Sequence, residues 1–324
     1  MEMPVDPLTL DILIPTRERP ENMKAVLRSI RDTASDPKRI TVAFYIDNDD
    51  AASMAVPGSL DVTEYCAPFK EIQFLHGPRG GLAGVYNLMT SYVNGDILMY
   101  AADDIEFRTK GWDLVVREAF WESVDRIWLM WGYDPAREAA PFPDHGFISR
   151  WGQRVVKYLF PTFGPHPKFP GSLPCSFTDV WLQPMYNMID RTRYLPHIEI
   201  AHKHWCTRTD SAEGTLEIDR NYATHAVLGN WRRTLAMDAR AAEIPQHADK
   251  LLKWIRFVEK ERAWLVERGW AKEIPASCER STAKAATAGS SSTPSARRSR
   301  TRKSSGRTTP KARARKRPTG SSAG

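Results

Sequence analysis

An apolar run, Ile97 to Ala102, stops abruptly at Asp103 and Asp104, with Glu106 two residues further on. Carboxylates beside a core strand are costly to bury unless a cation or hydrogen-bond donors receive them. A solvated turn is the plain alternative, but strand ends are also where open α/β sheets hold their ligands. Hard divalent cations such as Mn2+ and Mg2+ take one or two carboxylates plus phosphate oxygens. The expected chemistry at 103–104 is therefore a metal ion and, through it, a diphosphate.

Three further groups could act with these acids. In His202-Lys203-His204 the two histidines are two residues apart, so in an extended segment they share a side and could face one cation. Asp179, within Phe177-Thr178-Asp179-Val180-Trp181, is either a helix cap or a general base that takes a proton from an acceptor hydroxyl. The run Gly77-Pro78-Arg79-Gly80-Gly81-Leu82-Ala83-Gly84 does not have GxGxxG spacing, which argues against a nicotinamide or flavin fold. A glycine-rich approach to a diphosphate, with Arg79 nearby, fits it better.

The elements that must position these groups can be read in order. Leu8–Pro15, Ile40–Ile46, Ile72–Leu75 and 97–102 read as strands, and the second is closed by Asp47-Asn48-Asp49-Asp50. Asn22–Asp32, with Met23, Val26, Leu27 and Ile30 at helical spacing, and the stretch through Val85, Leu88, Met89 and Tyr92 read as helices between them. Strands alternating with helices predict an α/β fold with a mostly parallel sheet. Beyond Phe107 the spacing predicts a helix over 112–124, a strand over 126–132 and long loops over 134–176. A helix over 179–190, a strand over 195–201 and helices over 219–242 and 247–268 follow.

Bulk composition narrows the class. The apolar fraction of 42% and the charged fraction of 26% are ordinary for a soluble globular protein. Four cysteines (Cys66, Cys175, Cys206, Cys278) show no CxxC spacing, which argues against a zinc ribbon or disulfide framework and suits a reducing cytoplasm. No basic-then-apolar leader and no stretch of about 20 apolar residues is visible, so a soluble, cytoplasmic protein without a transmembrane segment is expected. The net charge of +7 divides unevenly. Residues 275–324 hold 13 Lys/Arg against one acid, Glu279, and subtracting that +12 leaves −5 for residues 1–274. After Cys278 there is no aromatic or large aliphatic residue, so a body over 1–274 and a disordered polybasic tail over 275–324 are expected. Lys and Arg spaced along a flexible chain suit DNA through counterion release; a solubilising extension is the bland alternative.

Together and in this order, the motifs resemble the GT-A fold glycosyltransferases, particularly the family 2-like inverting enzymes. Asp11-Ile12-Leu13-Ile14-Pro15-Thr16-Arg17-Glu18-Arg19-Pro20-Glu21-Asn22 looks like their first strand and nucleotide-contacting loop. Gly80-Gly81-Leu82-Ala83-Gly84-Val85-Tyr86-Asn87 is similar to the glycine-then-asparagine segment before the metal strand. Ala102-Asp103-Asp104 stands where the family carries its DxD signature, with Ala102 in place of the first acid. The similarity covers about residues 8–235.

The resemblance implies a divalent metal (Mn2+ or Mg2+) on Asp104 and a late histidine, His202 or His204, with Asp219 and Tyr222 in the helix that follows. A nucleotide-sugar donor would lie against Pro15, Thr16, Arg17, Asp47, Arg79, Gly80, Asn87 and Asp103, and Asp179 would be the base. The implied reaction moves a sugar from a nucleotide-diphosphate sugar to an acceptor hydroxyl with inversion. Hydroxylated bases in DNA are one acceptor, as some bacteriophage enzymes use, in which case the compartment is the host cytoplasm. Cell-surface glycans or small molecules are others. A metal-dependent phosphoester hydrolase built on the same Asp and His residues, and a non-catalytic DNA-binding protein, are the rival classes.

Overall fold

Short runs of Ile, Leu, Val and Phe form the first strands: β1 (Leu10–Thr16), β2 (Ile40–Asp47), β3 (Glu71–Gly77) and β4 (Ile97–Tyr100). In β1, β2 and β4 almost every residue is buried, whichever face it points to, as in parallel strands with helices on both sides. β3 is more exposed because it forms the sheet edge. The structure is a computed structural model that describes residues 8–59, 67–137, 142–161, 179–203 and 242–268.

Helix α1 (Pro20–Thr33) begins with proline at its first position, where no backbone N–H is needed, and buries Met23, Val26, Leu27 and Ile30. The other helices are α2 (Ala51–Met54), α3 (Val56–Ser59), α4 (Leu82–Met89), α5 (Trp112–Trp121), α6 (Arg150–Val156), α7 (Asp179–Asn187) and α8 (Glu243–Glu267). The remaining strands are β5 (Ile105–Phe107), β6 (Leu129–Tyr133), β7 (Gly146–Ser149) and β8 (Thr192–His202).

The strands form one sheet in the order β3-β2-β1-β4-β7-β6-β8-β5. Neighbours from β3 through β4 are parallel, as are β6 and β8, whereas β4–β7, β7–β6 and β5–β8 are antiparallel. Alternate strand residues feed two cores. Ile12, Val42 and Met99 join α1 and α5 on one face, and Leu13, Ala43 and Leu98 join α4, α6, α7 and α8 on the other. This is an α/β fold with helices on both faces of the sheet, as the alternation of strands and helices implied, and the sheet is mixed, with four parallel and three antiparallel pairings.

One expectation needs correction. The stretch 134–176 is not only loop: β7 and α6 lie within it. Their signal was hidden because β7 is only four residues long and starts at Gly146, where a Cβ would collide with the Tyr100 hydroxyl. The acids after β4 are followed at once by β5, whose register with β8 sets Ile105 opposite His202. The helix expected over 219–242 and the tail expected over 275–324 lie outside the described residues.

The β1–β4 pair is clasped at both ends. Its register pairs Leu10 with Ile97 and Leu13 with Tyr100, a constant offset of 87. The same offset carries Thr9 to Asp96, which accepts hydrogen bonds from the Thr9 backbone N–H and hydroxyl, and Thr16 to Asp103. At the Thr9 end the strands rest on a buried ion pair. Arg150 Nη2 lies 3.0 Å from Asp11 Oδ2, and its guanidinium also donates to the carbonyls of Thr90, Val93 and Gly95. The Gly95 N–H donates to Asp11 as well, and a Cβ at Gly95 would lie 2.6 Å from the Asp11 carboxyl carbon.

Candidate functional site

The sheet order places β1 between β2 and β4, so the chain leaves β1 in one direction to β2 and β3 and returns on the other side at β4. The carboxyl ends of β1 and β4 therefore open a crevice at a topological switch point, the usual ligand position in open α/β sheets. Thr16 ends β1, and Asp103 follows β4 within hydrogen-bond reach of it. Thr16 Oγ1 donates to Asp103 Oδ2 at 2.7 Å in a buried contact.

The loop from Thr16 to Pro20 distributes its arginines by a backbone twist at Glu18, whose φ of 57° is left-handed and uncommon for a residue with a side chain. Asp50 holds that twist by accepting the Glu18 N–H at 2.6 Å, while its other oxygen caps α2 through the Ser53 N–H. Before the twist, Arg17 reaches the end of β2, meeting Asp47 at 2.9 Å and gripping both oxygens of Asp49. That grip holds Asp49 below the usual carboxylate range. After the twist, Arg19 turns to the acids after β4, 3.1 Å from Asp103 Oδ1 and 3.6 Å from Asp104 Oδ2.

The two acids diverge electrostatically. Burial pushes Asp103 up to about 6, with Arg19 opposing and the neighbouring Asp104 adding to the rise. Burial would raise Asp104 too, but His202, Arg19 and His145 outweigh it and hold this carboxyl at about 2. His202 arrives because β8 pairs with β5, and its Nε2 stands 3.1 Å from Asp104 Oδ1. The distance is that of an ion pair, but Oδ1 takes no hydrogen bond of acceptable alignment among the described residues. Desolvation lowers His202, yet the carboxylates of Asp104, Asp144 and Asp134 prevail and raise it.

The structure thus brings together Pro15, Thr16, Arg17, Asp47, Asp103, Asp104 and His202 around one strand-end crevice. Arg79 and Gly80 lie exposed just beyond β3, next along the sheet. Asn87, expected beside the donor, holds backbone in this structure. Its Oδ1 accepts the Leu159 and Phe160 N–H groups at 2.7 and 3.0 Å, and its Nδ2 donates to the Phe160 carbonyl, so the side chain clamps the segment after α6. Glu106 pairs with Arg108 and Lys203 at the surface. Asp179 is the first residue of α7, a helix set by packing Trp181, Leu182, Met185 and Tyr186 into the core shared with α8. His204, Asp219 and Tyr222 lie outside the described residues.

Three residues that sequence reasoning passed over also face this place. Arg19 belongs to the segment that resembles a nucleotide-contacting loop, but the sequence assigns it no contact of its own. Asp134 directly follows β6, and Asp144 closely precedes β7. Asp134, Asp144 and His202 each offer a ligand atom within 4.8 Å of the others. An acid after a strand is a usable signal for Asp134; Asp144 carries none, since its strand was not foreseen.

No protein-family model and no curated protein matches the chain. Among solved structures the chain is similar to the mannosyltransferase PcManGT from Pyrobaculum calidifontis in complex with GDP-Man and Mn2+, with a TM-score of 0.49 and 12% identity over 89% of this chain and 82% of that one. It is also similar to S. aureus TarS 1-349, with a TM-score of 0.44 and 12% identity over 59% of this chain and 60% of that one. For TarS 1-349 in complex with UDP-GlcNAc, the TM-score is 0.43 and the identity 12%, over 65% and 64% of the two chains. The chain thus spans about 60% of the length of TarS 1-349.

Proposed function

We propose that the chain is a nucleotide-sugar-dependent, inverting glycosyltransferase whose donor lies across the carboxyl ends of β1, β2 and β4. The observation that carries this reading is the convergence of Thr16, Arg17, Asp47, Asp103, Asp104 and His202 on one switch-point crevice. The residues fit a divalent cation: Asp104 and His202 supply oxygen and nitrogen donors 3.1 Å apart, and Asp104 Oδ1 is buried without a hydrogen bond among the described residues. When bound there, Mn2+ or Mg2+ supplies positive charge to the departing diphosphate.

The protein's own groups do the rest. Asp47 and Arg17 border the place of the base and ribose, and Asp103, ordered by Thr16 and Arg19, contacts the ribose or diphosphate. Arg19 offers a second positive charge beside that diphosphate. Asp179, at the start of α7, takes the proton of the acceptor hydroxyl. The acceptor oxygen bonds to the anomeric carbon as the bond to the diphosphate oxygen breaks, and the electron pair leaves with the diphosphate. The product has inverted configuration, and Asp179 leaves the step protonated.

The charge division bears on the acceptor. With +12 concentrated in residues 275–324 and −5 left elsewhere, a polyanionic acceptor such as hydroxylated DNA is the partner this reading favours. Two experiments test the proposal. Thermal-shift screening against UDP-, GDP-, ADP- and dTDP-sugars with Mn2+ should show one stabilising donor, and stabilisation by none would defeat the reading. Full-length and tail-deleted protein should differ in salt-dependent duplex binding; equal binding would remove DNA as the acceptor.

A further inference from the structure

Three carboxylates from three separate segments surround the imidazole of His202. Asp104 follows β4, Asp134 follows β6 and Asp144 precedes β7. The first is shared: Asp103 and Asp104 both engage Arg19, so part of their charge is already matched by a side chain of this protein. Asp134 is held differently. One of its oxygens, Oδ1, accepts the backbone N–H groups of Ala136 and His202 at 3.0 and 3.2 Å, which fixes the carboxylate against the strand carrying the histidine. Its other oxygen, Oδ2, is buried and takes no hydrogen bond among the described residues. A buried carboxylate oxygen without a donor is expensive and calls for a compensating group, an ion being one of the few available.

Spacing gives the second argument. Ligand atoms of Asp134, Asp144 and His202 within 4.8 Å of one another suit a cation of the size of Mn2+, whose ligands sit about 2.1–2.2 Å from the metal and hence about 3–4.4 Å apart. Two carboxylates with one imidazole form a mixed oxygen and nitrogen set of the kind Mn2+ accepts.

We propose that Asp134 and Asp144 ligate the same divalent cation as His202, a set of two carboxylates and one imidazole, with Asp104 reaching that imidazole from the end of β4. The proposal rests on the transferase reading only for the purpose of the cation; the set of Asp134, Asp144 and His202 stands on the geometry. It assigns the metal chiefly to the antiparallel half of the sheet. The adjacent acids after β4 are then divided: Asp104 faces His202, and Asp103 is left to Arg19, Thr16 and the donor.

The test uses full-length protein stripped of metal and titrated with Mn2+ alone, followed calorimetrically and by the loss of the free-Mn2+ electron paramagnetic resonance signal. Asp134→Asn and Asp144→Asn should each weaken Mn2+ binding by about 10-fold or more, since loss of even a group that supports a metal ligand costs 10–100-fold. Glu199→Gln, which alters a surface pair with Arg108 on the same strand as His202, should not. Asparagine keeps the Oδ1 acceptor of Asp134, and circular dichroism checks each fold. If one variant fails to fold, the other decides. Wild-type affinity in either folded variant, or no Mn2+ binding by the wild type, overturns the proposal. A wild type that binds Mn2+ through these residues but turns over no nucleotide sugar sinks the transferase reading and leaves the ligand set standing.

Discussion

Replacing Arg150 by methionine tests how the β1–β4 pair is supported at the end away from the crevice. The guanidinium reaches Asp11 Oδ2 at 3.0 Å and the carbonyls of Thr90, Val93 and Gly95 at 2.8, 2.8 and 3.1 Å. Burial raises Asp11 and lowers Arg150, so each group is pushed toward its neutral form and the pair gains little over an apolar replacement. Loss of one partner is another matter. Arg150→Met leaves the Asp11 carboxylate buried with only the Gly95 N–H and the Thr41 hydroxyl beside it and strands three carbonyls, and breaking such a pair costs about 3–5 kcal/mol. The double variant Asp11→Leu with Arg150→Met should lose less than Arg150→Met alone.

The effect carries a pH signature. Removing Arg150 takes away one of the influences that lower Asp11, so its value rises further. A carboxyl raised above its unfolded value of 3.8 contributes stability that is fully present below 3.8 and is lost as pH rises through the folded value. The deficit of Arg150→Met is therefore greatest near neutrality and shrinks on acidification. Urea unfolding of wild type and variants at pH 7.0 and at successively lower pH, roughly one unit apart, measures both. A deficit below about 1 kcal/mol at neutrality, or one that grows toward acid, refutes the reasoning.

Other consequences concern the crevice. Thr16→Val removes a buried hydrogen bond to a carboxylate and should cost about 1.5–3 kcal/mol in urea unfolding, without changing Mn2+ affinity in the folded protein. Asp179→Asn should lower transfer by about 10²–10⁴ while donor binding stays nearly unchanged, and near-normal turnover would remove the assignment. Asp104→Ala should abolish the difference in donor affinity measured with and without Mn2+; a persisting difference would exclude Asp104 from the metal centre.

The parallel half of the sheet was legible in the sequence because it is built from local pattern. The apolar runs of β1, β2 and β4 and the 3.6-residue spacing in α1 need no distant information, and the acids after β4 are visible as acids after a strand. The histidine at 202 was legible through its spacing and its place at the end of a strand. The antiparallel half was not. β5 is three residues long, and β7 is disguised by Gly146, so neither shows a period, and their register depends on partners far along the chain. Asp144 and Arg19 reach His202 and the acids after β4 only through that register and through the twist at Glu18. The hydrogen bonds of Asn87 to Leu159 and Phe160 were not legible either, because an amide beside a glycine-rich run suits a ligand as well as it suits a backbone clamp.

The pairing of Ile105 with His202 has a consequence for the order in which the molecule comes into being. The first four strands are complete by Tyr100, so a nascent chain can assemble its parallel half, with Thr16 clasping Asp103, soon after these residues leave the ribosome. The imidazole beside Asp104 comes from a segment almost a hundred residues later and is placed by a three-residue strand. Such distant pairings form late, because loop closure must precede their contacts. Within residues 8–107, among those described, Arg19 is the cation paired with the acids after β4. Arg19 is thus the counter-charge that this half of the sheet supplies for itself, and His202 adds to it only once β8 is in place.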